Sequence, residues 1–142
     1  MLDPASASAV DFNFGLAWIV FTLAVALHVT DEASHDFLAI YNPNALAIRR
    51  RFHVPMPVFT DRIWITSLAM GISALLLLTP LAFDGVGWLR IAAVPLAILA
   101  GIVNGLIHIA GSLRYRRPVA GILTAPLLLL TGAWLLLSSI PR

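Results

Sequence analysis

Apolar positions dominate the chain in four long runs, residues 12–29, 63–83, 86–113 and 119–140, separated by short polar breaks. At about 1.5 Å per residue, each run is long enough to cross roughly 30 Å of hydrocarbon, so the pattern predicts four transmembrane helices. The polar residues that follow the first run extend its helix, giving spans of approximately 12–33, 63–83, 86–113 and 119–140 within a single transmembrane domain, residues 1–142. Asp84-Gly85 makes a tight turn between the second and third spans. The link Arg114-Tyr115-Arg116-Arg117-Pro118 is equally short, and Pro118 suits the first turn of the last helix. One long connection remains, residues 31–62. It holds an apolar stretch at 45–48, the triplet Arg49-Arg50-Arg51 and Pro55-Met56-Pro57, a pattern that suits a short interfacial helix followed by a proline-punctuated turn, or a plain loop. The fold class expected is an all-α, four-helix transmembrane bundle with a cytoplasmic loop or interfacial helix between its first two helices.

Composition strengthens that picture. Of 142 residues, 60% are hydrophobic and 11% charged, with a mean hydropathy of +0.92, outside the range of ordinary soluble domains. No cysteine is present, which excludes disulfides, thiolate metal sites and cysteine nucleophiles. The net charge of +2 comes from arginine alone. Arg49, Arg50, Arg51, Arg62, Arg114, Arg116 and Arg117 fall on one side of the four spans, and Arg90 and Arg142 on the other. The positive-inside rule then places the long connection in the cytoplasm and both termini outside. No basic face with interleaved aromatics exists, so nucleic acid is not an expected partner. The first residues lack a positive n-region and a small-residue cleavage site, so the first span is expected to persist.

Against this apolar background the ionisable residues stand out. At the inner end of the first helix the chain reads His28-Val29-Thr30-Asp31-Glu32-Ala33-Ser34-His35-Asp36. If the helix continues, His28, Glu32 and His35 share one stripe, with Asp31 beside it. In the third run, Asn104 and His108 form a second i, i+4 pair. Both helices run from outside to inside; His108 lies about 9 Å below the inner interface and His28 at a similar depth, so the two pairs meet if the helices are neighbours. A charged side chain within the bilayer costs about 2.5–3.5 kcal/mol and usually faces a protein interior. Two imidazoles with a carboxylate suit either chelation of a divalent metal or acid/base transfer. The simpler roles are helix-to-helix hydrogen bonding for His28 and His108 and plain interfacial placement for His35 and Asp36.

The pattern His28-x-x-Asp31-Glu32, followed by Asn104-x-x-x-His108 and by Tyr115-x-x-Pro118 leading into Gly121-x-x-Thr124-Ala125, resembles the HXXEE family of small bacterial membrane proteins. Asp31 stands where the family name has glutamate, which retains a carboxylate on a shorter arm. The resemblance singles out the site residues, implies a bacterial inner membrane and leaves the reaction open. A looser likeness, the His and Glu one turn apart in a membrane cavity, is to sterol isomerases of the emopamil-binding type, an analogy of site and not of sequence.

Three function classes follow. The first is a membrane-embedded enzyme acting on a lipid or isoprenoid-like substrate, with His28, Glu32 and His108 as ligands of zinc or iron and Asp31 and Asn104 as additional or orienting groups. The second is a metal-free isomerase or cyclase in which Glu32 or Asp31 gives a proton and a histidine takes one. The third is a proton or metal-ion transporter or a structural membrane subunit, for which four spans imply a homo-oligomer. The catalytic set expected in the enzymatic classes is Glu32, Asp31, His28, His108 and Asn104.

Overall fold

The computed structural model describes residues 4–140, with side chains from residue 12 onward. Arg142, counted above on the outer side, lies outside them. The described residues are helical apart from turns and one extended link, and they contain no strand. In order, the elements are α1 (Pro4–Ser34), α2 (Phe37–Phe52), α3 (Asp61–Leu77), α4 (Thr79–Phe83), α5 (Gly87–Leu96), a π-helical segment (Ala97–Val103), α6 (Asn104–Tyr115) and α7 (Ala125–Ser139). Two continuous helices are long and apolar enough to cross a membrane: Phe12–Ser34, and Gly87–Tyr115 through the π-helical segment.

Several boundaries differ from those read in the sequence. The run 63–83 is divided at Leu78 into α3 and α4, because Pro80 has no N–H to continue the ladder and instead opens a new first turn. The run 119–140 is helical only from Ala125, with Pro126 in the first turn where Pro118 was expected. Residues 119–124 are a compact series of turns instead, and Gly121 at φ 82° supplies a left-handed backbone there. The long connection contains a real helix, α2, reached by a reversal at Asp36 (φ 49°). Its polar side fixes the returning link: Asn42 donates to the Phe59 carbonyl and accepts from the Phe59 N–H, and Tyr41 donates to the Pro57 carbonyl.

The core is built where α1 meets α7 and the helix formed by α5 and the π-helical segment. Phe14, Trp18 and Phe21 of α1 pack with Leu89, Ala93 and Ala97 and with Leu128 and Leu135 of α7, all essentially inaccessible. Gly101 and Gly132 let two backbones touch, since a Cβ built on Gly101 would lie 2.8 Å from the Gly132 Cα. Gly71, by contrast, has nothing within 4 Å of such a Cβ. Large apolar side chains point outward all round: Leu77 is 80% exposed, Ile91 75%, Leu123 75% and Leu130 67%. Arg90 is buried beneath this surface, donating to the Ser138 carbonyl at 2.8 Å with its guanidinium 4.5 Å from the Phe14 ring centre. Beside it, Asn13 donates to Ser138 Oγ and accepts from the Trp134 indole.

Candidate metal centre

α1 continues past the apolar run to Ser34, so His28 and Glu32 lie one turn apart on its inner face. α6 brings His108 to the same place. The His28 and His108 rings meet edge to face with centroids 4.7 Å apart, and all three residues are buried, with 2%, 5% and 4% of their surface exposed. His108 Nε2 is 3.0 Å from Glu32 Oε1, and His28 Nε2 is 3.5 Å from the same oxygen.

Hydrogen bonds on the far side of each ring decide what these nitrogens offer. His108 Nδ1 is 2.6 Å from the Ala120 carbonyl, which can only accept, so Nδ1 carries the proton. His28 Nδ1 is 2.9 Å from Thr124 Oγ1. That hydroxyl has one hydrogen, directed at Asp31 Oδ2 at 3.0 Å, with the Gly121 carbonyl as a longer second acceptor at 3.3 Å. Thr124 Oγ1 therefore accepts from His28 Nδ1–H, and the Thr124 N–H also donates to Asp31 Oδ2. In the neutral tautomer each ring then presents an Nε2 lone pair towards the Glu32 carboxylate. His28 Nε2 is fully buried with no hydrogen-bond partner, an arrangement that costs about 1–3 kcal/mol unless something occupies the position.

Three donor atoms, one each from His28, Glu32 and His108, lie within 4.8 Å of one another. A tetrahedral ion with bonds of about 2.0–2.1 Å holds its donors roughly 3.4 Å apart, and the observed 3.0 and 3.5 Å bracket that spacing. The group fits a cation: two imidazoles, one carboxylate, an unsatisfied nitrogen, and both outer N–H groups held by acceptors, as metal-ligating histidines require.

Of the other expected site residues, Asp31 does not reach this centre. Its buried carboxylate serves Thr124 on one oxygen and His35 Nδ1, at 3.0 Å, on the other, so it acts on His28 through a threonine. Asn104 stands a turn before His108, on the wall of a mostly apolar cavity of about 400 Å³ between α2 and α6 that His108 also lines. His35 and Asp36 are exposed where α1 ends. Phe37, at the start of α2, stacks on Trp64 and lies 5.9 Å from the His108 ring, closing one side of the centre.

The turn 119–124 supplies what the reading of single helices missed. Ala120 offers its carbonyl, Thr124 its hydroxyl, and Gly121 the space between. A Cβ on Gly121 would lie 2.7 Å from His108 Cε1 and 2.8 Å from His28 Cε1, and its φ is positive besides. Only glycine fits between the two rings. The one signal for these positions in the sequence was the Gly121-x-x-Thr124 spacing in the family resemblance.

Fold and site thus define an all-helical protein with two candidate membrane-crossing helices and a buried His–Glu–His cluster where they approach. The chain matches, over residues 18–135, the model of a family described as proteins of unknown function with an HXXEE motif, and it belongs to that family. No curated protein and no solved structure matches it.

Proposed function

We propose that the protein is a metal-dependent membrane enzyme of four spans, acting on a lipid or isoprenoid-like substrate at the cytoplasmic side of a bacterial inner membrane. The outward apolar side chains of α3, α5, α6 and α7 support the four-span reading, since a surface of this kind is stable against hydrocarbon and not against water. Arg49, Arg50, Arg51, Arg62, Arg114, Arg116 and Arg117 are all exposed, which suits the cytoplasmic side. Both termini are then outside.

The observation that carries the metal reading is the buried, unpartnered Nε2 of His28, aimed at a carboxylate that a second imidazole also faces. His28, Glu32 and His108 would hold the ion. When bound, zinc would supply a Lewis acid for hydrolysis, and iron a redox centre for oxidation. The chain's own residues do the rest. Thr124 and the Ala120 carbonyl hold the rings in the tautomers that leave Nε2 free, the Gly121 turn sets their edge-to-face approach, and Phe37 excludes water from one side. Protein purified without chelators is expected to carry about one zinc or iron per chain by elemental analysis, and His108→Ala or Glu32→Gln to remove it while leaving the helical circular dichroism unchanged. Stoichiometric absence of metal from the folded wild type overturns this reading.

A second reading, metal-free acid/base catalysis, draws on the 3.0 Å separation of His108 Nε2 and Glu32 Oε1, the length of a shared proton. It requires the same folded wild type to be metal-free.

A further inference from the structure

The cavity of about 400 Å³ between α2 and α6 has a shape that follows from its two walls. On α2 it is lined by one stripe, Phe37, Tyr41, Asn44 and Ile48, at spacings of four, three and four residues. On α6 the stripe is Asn104, His108, Gly111 and Tyr115, with the same spacings in the same order. Two parallel-sided stripes of this kind enclose an elongated groove. From Phe37 to Ile48 it runs eleven residues, about 16 Å at helical rise. Its lining is apolar along most of that length, as a hydrocarbon chain requires.

The two ends of the α2 stripe differ in chemistry. At one end Phe37 lies 5.9 Å from the ring of His108. At the other, Ile48 is followed directly by Arg49, Arg50 and Arg51, all exposed. A molecule lying along the stripe therefore meets a cationic cluster at its head and an imidazole of the His–Glu–His centre roughly 16 Å further on. Along the middle, Ile40 and Ile107 are apolar wall, and the polar groups are the amides of Asn44 and Asn104 and the Tyr41 hydroxyl, which donates to the Pro57 carbonyl. Charge complementarity selects an anionic head, and the apolar lining a hydrocarbon chain.

We infer that the groove between α2 and α6 binds an anionic amphiphile, its acid group at Arg49–Arg51 and a hydrocarbon chain reaching His108. This deepens the metal-dependent lipid enzyme proposed above and rests on that reading for what happens to the chain, though not for its binding. Because the head is held about 16 Å from the metal residues, the reacting position is within or near the far end of the chain, not at the acid group.

The test uses the full-length protein in phosphatidylcholine nanodiscs, titrated with cis-parinaric acid, a fluorescent single-chain carboxylate, and with the corresponding neutral alcohol. Saturable binding of the acid at one per chain is expected, at least about ten-fold tighter than the alcohol. Ile107→Trp fills the groove from a position that is 61% exposed, so folding is spared; it should weaken both ligands about ten-fold or more. Replacing Arg49, Arg50 and Arg51 together by Gln should weaken the acid and leave the alcohol unchanged. Glu32→Gln should lose metal and keep acid binding, since Glu32 does not line the groove. Equal partitioning of acid and alcohol, or indifference of both to Ile107→Trp, overturns the inference. A metal-free wild type that still binds the acid sinks the metal centre alone; a metal-loaded wild type without saturable acid binding sinks the groove alone.

Discussion

Helix α1 carries two His–carboxylate pairs at the same one-turn spacing, offset by three residues, and they have opposite fates. His28–Glu32 faces inward, buried, with one nitrogen unpartnered. Asp31–His35 faces the end of the helix: the His35 side chain is 54% exposed, and its Nδ1 donates both to the Asp31 carboxylate and to the Asp31 carbonyl. The second pair is saturated by its own helix and by Thr124. The first is left with coordination to spare because its partners come from α6 and from the turn before α7. A chelating pair is thus defined less by its spacing than by what lies behind each ring.

That contrast is broken most severely at Gly121. Gly121→Ala forces a methyl between the two imidazoles and a side chain into a left-handed conformation, a strain of about 1–3 kcal/mol. The thermal midpoint is expected to drop and metal to be lost from the purified protein; normal metal content in the variant would contradict the geometry drawn here.

Thr124→Val is the next largest. It keeps the volume, removes the acceptor of His28 Nδ1–H and leaves Asp31 Oδ2 with the Thr124 backbone N–H alone. Metal affinity in competition with a chromophoric chelator is expected to fall about 10–100-fold. Asp31→Asn, acting one bond further out, should fall in the same direction by less, and a larger effect than that of Thr124→Val would show that Asp31 is itself a ligand.

The smallest effect belongs to the exposed pair. His35→Ala should change stability by no more than about 0.5 kcal/mol in chemical denaturation and leave metal content at wild-type level. Loss of metal in that variant would place His35 inside the site and erase the distinction between the pairs.

How much of this was legible from residues alone follows from the same geometry. The meeting of His28, Glu32 and His108 could be read because it needs only helical periodicity and a common depth, and both belong to long regular helices. Asp31 was read as a direct or orienting group without its intermediary, since Thr124 was assigned to a helix whose first residues in fact form turns. Proline drew that boundary too early: Pro118 and Pro126 both suit a first turn, and the segment between them could not be told from helix by hydropathy. Asn104 shares the face of His108 but stands a full turn away, along the groove and outside the cluster. The four-residue rule places side chains on a stripe; it does not say which members of a stripe reach a common point.

One consequence lies in the stretch Ala97–Val103. Its wide turns absorb an additional residue relative to a regular helix, and each residue of an α-helix advances the azimuth by about 100°. Wound as a regular helix with no residue lost, the same chain would be locally more uniform, yet every side chain downstream would be swung by more than a quarter circle, carrying His108 off the axis it shares with His28. The irregularity is therefore a phase adjustment, and its length is constrained as tightly as the identity of any ligand.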